Sequence, residues 1–263
     1  MTPKPKVVRA VHANAGVRAK YQKQLKALIS EMADSVEYWL TATYRDSPPL
    51  LAMDARRSPV RYVNKQMRDL ARRWLKRFDD AAPQIAEAYL KQMFRMSDSG
   101  MKQALKTAGF AVQFEMTPAM RDAFEASLAE NISLIKSIPE QYLSDVEGIV
   151  NRSYAAGRDL ATMVEELRQR HKVTSDRAVL IARDQSNKAN AVVIRTRQMS
   201  LGLTEAVWMH SHAGHTPRPS HLAANGETYK IAEGMFLDGK WVQPGQEINC
   251  RCVSRAVIPA LAV

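Results

Sequence analysis

The sequence predicts an α+β fold, a mostly helical N-terminal region followed by a small turn-rich α+β module at the C-terminus. Three observations carry that reading. Apolar residues recur at three and four from about Ala19 to Gly202, the period of helices with one buried face. After Gly202 this gives way to glycines, prolines and short alternating runs, the pattern of turns and brief strands. The same break concentrates the chemistry: four of the six histidines (His210, His212, His215, His221) and both cysteines, Cys250 and Cys252, lie beyond it.

Taken in order, residues 1–18 hold Pro3, Pro5 and Gly16 among several positive charges and read as a flexible basic arm. Residues 19–150 form the helical region. Its first helix carries Leu25, Leu28, Ile29, Met32, Val36 and Trp39 on one face and is broken by Pro48 and Pro49. Ser58 as N-cap and Pro59 at the first helical position start the next. There Val63, Met67, Leu70, Ala71, Trp74 and Phe78, with Val60, make an apolar stripe, while Arg61, Lys65, Arg68, Arg72 and Lys76 recur on another face. A further helix is expected to start near Pro83. Phe110, Val112, Phe114 and Met116 alternate with their neighbours as a short strand or extended connector. Thr117-Pro118 opens a helix reaching Ile138, and Pro139 and Gly148 bracket a shorter one.

Residues 151–203 supply the helices that lead into the module. One is expected from Asp159 to His171, and Thr174-Ser175-Asp176 is expected to cap a last long helix ending at Gly202. The polar run from Ile181 to Lys188 inside it reads as a solvated or partner-facing surface, since adjacent helical residues point to different sides. In the module, residues 204–263, strands are expected over Ala206–Met209, Glu227–Ile231, Gly239–Val242 and Asn249–Val253.

The 263 residues are enough for one large domain or two modest ones, each with a core. No stretch approaches the roughly 20 consecutive apolar residues of a membrane span, and the N-terminus lacks the apolar run of a signal peptide. The expectation is a cytosolic origin with both thiols reduced, because a bridge between cysteines two apart is strained. The net charge of +11 is unevenly spread. Seven basic residues, from Lys4 to Lys26, precede the first acid at Glu31, and nine basic residues between Arg56 and Arg77 face Asp69 alone. The remainder of the chain is therefore net acidic. A basic third of this kind points to a polyanion, most simply nucleic acid, through Arg56, Arg57, Arg61, Lys65, Arg68, Arg72 and Lys76. A solvated charged helix face accounts for the same residues equally well.

If Cys250 and Cys252 are extended, the two-residue period puts both thiols on one face, within reach of one metal or one packed cluster. With His221 and His212 they offer the donors of a structural zinc site, although cysteines in such sites are more often two to four residues apart. The alternative is that the cysteines are small core residues and the histidines bond loop carbonyls. A catalytic reading, a metal-dependent nuclease through His221, Asn225 and Asn249 or a Cys250 nucleophile, lacks any surrounding motif. A free DNA-binding module is the remaining class.

The order Trp208…Thr216-Pro-Arg-Pro-Ser-His221…Asn225-Gly226…Pro244-Gly…Asn249-Cys-Arg-Cys252 resembles the phage head morphogenesis (Mu F-like) minor head proteins. The preceding Ile181-Ala-Arg-Asp-Gln…Lys188…Arg195-x-Arg197…Gly202 is similar to the helix leading into their module. The resemblance covers about residues 130–258. It implies a minor capsid component of few copies, located in the virion, assembled in the host cytoplasm and acting in head morphogenesis. The portal protein, other head proteins and phage DNA are its implied partners, and no enzymatic activity is implied. Carried over by position, the motif residues are Trp208, Arg218, His221, Gly226, Pro244, Asn249, Cys250 and Cys252. The general pattern does not demand His212 or His215.

Overall fold

A computed structural model describes residues 5–46, 59–157, 160–212 and 216–260. The fold is α+β, as the sequence predicts. In chain order the described elements are β1 (Lys6–Val7), α1 (Ala15–Asp46), α2 (Pro59–Thr107), α3 (Pro118–Ala155), α4 (Leu160–Ser200), β2 (Glu205–Met209), α5 (Pro219–Ala223), β3 (Thr228–Lys230), β4 (Met235–Leu237), β5 (Lys240–Val242) and β6 (Val253–Ile258). No helix among the described residues is long and apolar enough to cross a membrane.

The helices are fewer and longer than their punctuation suggests. Pro83 lies inside α2 and Pro139 inside α3, where a helix start and a helix end are expected. A proline in a helix interior removes one hydrogen bond and costs about 3 kcal/mol. Here packing offsets that cost: Phe78, Ala82 and Ala86 beside Pro83 are fully buried, as are Ile135, Ile138, Tyr142 and Val146 around Pro139. Thr174 likewise caps nothing. Its hydroxyl donates back to the Arg170 carbonyl at 3.0 Å, and α4 runs through it unbroken. The connector 109–116 is extended but unpaired, with Phe110, Val112 and Phe114 packed inward and Met116 exposed.

The chain divides into two compact units. The helical unit comprises residues 20–86 and 130–181, a segment of each long helix. Leu25, Ile29, Met32, Val36 and Leu40 of α1 are buried in it, with Val63, Met67, Leu70 and Phe78 of α2. Polar links tie its segments together: Tyr21 donates to Asn131 at 3.1 Å, Trp74 to Ser35 at 3.2 Å and Arg177 to the Ser137 hydroxyl at 2.9 Å. Two residues of the expected stripes are instead on the surface. Val60 is exposed, and Trp39 lies under the Arg73 guanidinium, 5.8 Å from the ring centre.

The second unit comprises residues 1–19, 87–129 and 182–263. Its main sheet is antiparallel with strand order β1-β6-β2-β3, and β4 and β5 form a separate hairpin. The final strand begins at Val253, so Cys250 and Cys252 enter it rather than lie within it. One core gathers Val8, Val11, Met101, Leu105, Ile194 and Ile258. The other gathers Ala206, Trp208, Tyr229, Ile231, Val242, Cys250 and Cys252. The described part of the expected arm is therefore structured. Lys6 and Val7 pair with Ile258 and Val257, and Asn190 of α4 donates to the Val11 carbonyl at 2.9 Å. That short strand lies at the sheet edge beside β6, and Val8 and Val11 just after it are buried in the core.

Candidate metal and motif site

Trp208 is the floor of the site. It sits on the buried face of β2, opposite Ser254 in register, with no solvent exposure. The His221 ring stands edge-on to it, ring centres 5.2 Å apart, with Tyr229 on another side at 6.1 Å. Pro219 starts α5 just after Arg218, and that single turn delivers His221, itself 3% exposed, over the indole. Gly226 follows with φ +92°, a conformation L residues rarely adopt, and its N–H donates to the Trp208 carbonyl at 2.8 Å.

The cysteines arrive from the other side. Gly245, with φ +82°, has room for no side chain: a Cβ there would lie 2.9 Å from that of Ala191. Its N–H faces the Cys250 sulfur at 3.4 Å. Asn249, also at positive φ, donates its N–H to Asp184 at 2.7 Å, and the Asn187 amide donates to the Cys250 carbonyl at 3.0 Å. The polar run of α4, expected to face solvent or a partner, is thus the clamp that holds the cysteine segment. Gln185 and Ser186 within it are buried, as is Asn190 just beyond.

The result is a compact donor set. His221 Nδ1 lies 3.5 Å from Cys250 Sγ and 3.7 Å from Cys252 Sγ, and the three ligand atoms fall within 4.8 Å of one another. Nε2 of the same ring meets Glu247 Oε2 at 3.0 Å. A carboxylate there accepts the Nε2 proton and leaves the Nδ1 lone pair facing the sulfurs, the arrangement that orients metal-bound histidines. Glu247 also ion-pairs with Lys240 and, at 3.6 Å, with Arg218. The Lys240 contact, foremost, holds its carboxyl below the usual carboxylate range despite partial burial. The thiols differ from each other. Cys250 is drawn down to about 6 by the hydrogen bond from Cys252 and by backbone N–H groups, which outweigh burial. Cys252, the donor of that bond and buried, is pushed up. The Trp208 indole N–H, with no oxygen or nitrogen acceptor, is directed at Cys252 and favours its thiolate.

His221, Cys250 and Cys252 are brought together; His212 is not part of the set. It is exposed at φ 51°, and its N–H donates to His210 Nδ1 at 3.1 Å. That bond leaves the His210 proton on Nε2, so His210 offers no lone pair to a metal either. Burial, foremost, lowers the His210 pKa. His215 lies outside the described residues, as do Lys4, Arg56 and Arg57. Arg61, Lys65, Arg68, Arg72 and Lys76 are all exposed along α2, where Arg72 pairs with Asp69 and Lys76 with Asp80 at 3.1 Å. Arg218 donates to the Ile248 carbonyl, and Pro244 is buried ahead of Gly245. Sequence reasoning missed Glu247, Asp184 and Asn187. The usable signal was a carboxylate three residues before Cys250 in a loop otherwise lacking charge.

The geometry defines a small module built around a His–Cys–Cys set. Comparison with known proteins gives its likeness: residues 144–255 match the family described as Phage Mu protein F like protein. The matched span contains every motif residue named above. A relative described as an uncharacterized protein of Haemophilus influenzae is 28% identical over 244 residues, covering 90% of this chain and 52% of its own length. The chain thus spans about half the length of that relative. No solved structure matches the chain.

Proposed function

We propose that this chain is a minor head protein acting in phage head morphogenesis, in the virion at the capsid interior or portal vertex. The C-terminal module docks on the portal or procapsid, and the basic face of α2 holds phage DNA. The observation that carries this reading is the Mu F-like match over 144–255, whose motif residues pack into one site rather than scatter. The test is mass spectrometry of gradient-purified particles from the source strain. A few copies per particle are expected; absence from procapsids and mature heads alike would sink the reading and favour a DNA-processing enzyme.

The DNA contact has its own test. Changing Arg61, Lys65, Arg68, Arg72 and Lys76 together to glutamine removes five exposed charges and buries nothing new. If all five contact phosphates, the logarithmic salt slope of DNA binding should flatten by roughly 4 to 5. An unchanged slope would make the face a solvated surface.

The donor set fits zinc as a structural ion: two sulfurs and one imidazole nitrogen are what it prefers, and the carboxylate-oriented His221 supplies the outer partner. Cys250, Cys252 and His221 would hold it. The fourth position is left to a ligand outside these three. Bound there, zinc would pin β2, α5 and the cysteine segment to one another.

A further inference from the structure

The unit that carries the cysteine–histidine set also holds an apolar groove of about 520 Å³, lined by none of the metal-site residues. Its walls are two helical stripes. On one side Phe94 belongs to a run of α2 from Lys91 to Lys102, roughly 16 Å of helix. On the other, Met116, Met120 and Phe124 recur at every fourth residue across the start of α3. We propose that this groove docks an acidic amphipathic helix of about three turns from another protein.

Three observations argue for that occupant. The floor is apolar: Phe94 and Phe124 meet edge to face, ring centres 5.2 Å apart, and Met116 beside them is 58% exposed. A methionine left in water at the lip of an aromatic floor is the kind of surface a partner's apolar side chains cover, and its flexible thioether adapts to their shape. The length fits a helix. The stretch from Lys91 to Lys102 matches an amphipathic segment with apolar anchors at i, i+4 and i+7. The charge of the wall sets the sign of the partner. Lys91, Arg95 and Lys102 stand along α2, and Asp98, the carboxylate among them, is neutralised by its two bonds to Arg197. Arg95 and Lys102 pair with no carboxylate among the described residues, and Lys102 faces the Phe114 ring at 5.8 Å instead. The Lys91–Glu87 pair is an exposed one, which a partner's carboxylate displaces at little cost. Nucleic acid answers the cations but not the exposed methionine.

The proposal deepens the assembly reading, which would make the partner another head protein. Its test needs no particle, so either can fail alone. A fluorescein-labelled peptide of about 15 residues, with leucines at three- and four-residue spacing and glutamates elsewhere, is titrated against the full chain by anisotropy. Saturable binding that salt weakens is expected, with the lysine-for-glutamate version of the peptide weaker by about tenfold or more. Met116→Asp and Arg95→Glu, both at exposed positions, should each weaken binding of the glutamate peptide about tenfold. Arg95→Glu should in turn strengthen binding of the lysine peptide, a rescue that a folding defect would not produce. Lys172→Glu, the same charge change at an exposed position on α4, should leave the affinity as it is. No saturable binding, affinity unmoved by Met116→Asp, or equal affinity for the two peptides would overturn the proposal. So would full displacement of the glutamate peptide by a short oligothymidylate, which would give this face to nucleic acid.

Discussion

Replacing Cys250 with serine is expected to strip the chain of its metal and loosen the C-terminal module. Three donors cluster there, two sulfurs and one imidazole nitrogen, and losing one sulfur leaves a site too weak to hold the ion through purification. Apparent binding energies of about 10–16 kcal/mol in small zinc-fingers show how much folding energy such an ion supplies. This module has its own core around Trp208, so its dependence should be smaller. A fall in metal content from about one ion per chain to near zero, with a Tm lower by on the order of 10 °C, is the expected result. Glu247→Ala spares all three ligands but frees the His221 ring, and should weaken metal affinity by about 10- to 100-fold. The pH dependence has a definite sign. In the metal-free chain the hydrogen bond from Cys252 holds the Cys250 pKa down to about 6, and metal affinity should weaken as pH falls and protons compete for the ligands. Cys252 is raised in the metal-free chain, so metal uptake at neutral pH should release a proton. Elemental analysis finding no metal after native purification, with Tm unmoved by Cys250→Ser, would leave both cysteines as core residues.

The parts of this protein legible in its sequence are those set by period and spacing. The helical stripes, the change of texture after Gly202 and strand β2 follow from where apolar residues recur. What was not legible depends on partners far along the chain. Pro83, Pro139 and Thr174 look like helix ends because local chemistry says so, and only burial of their neighbours overrides it. Asp184 and Asn187 look solvated because a polar helix face reads the same whether it meets water or a loop's backbone. The arm was misread for the opposite reason: its prolines and charges masked Val7, Val8 and Val11, whose apolar character builds a strand edge and a core. At the site, cysteine spacing placed two ligands on one face. The carboxylate that orients the histidine, 26 residues away, was marked only by its place three residues before Cys250.

Arg197 is expected to be among the costliest single residues to lose. Its side chain is 3% exposed, and its fork grips both Asp98 oxygens at 2.7 Å, tying α4 to α2 within the C-terminal unit. The same guanidinium donates to the Glu115 carbonyl at 2.6 Å and lies over the Phe114 ring, 4.6 Å from its centre, so it also anchors the unpaired connector. Arg197→Met leaves Asp98 and that carbonyl without their donor, and should destabilise the fold by about 3–5 kcal/mol in urea unfolding. Asp98→Asn keeps an acceptor and should cost less. The decisive measurement is the pair Arg197→Met/Asp98→Leu. Removing both charges relieves the stranded carboxylate, so the double variant should be more stable than the sum of the single losses predicts, by on the order of 1–3 kcal/mol. Strict additivity would mean that the ion pair is incidental and that Arg197 acts mainly by stacking on Phe114.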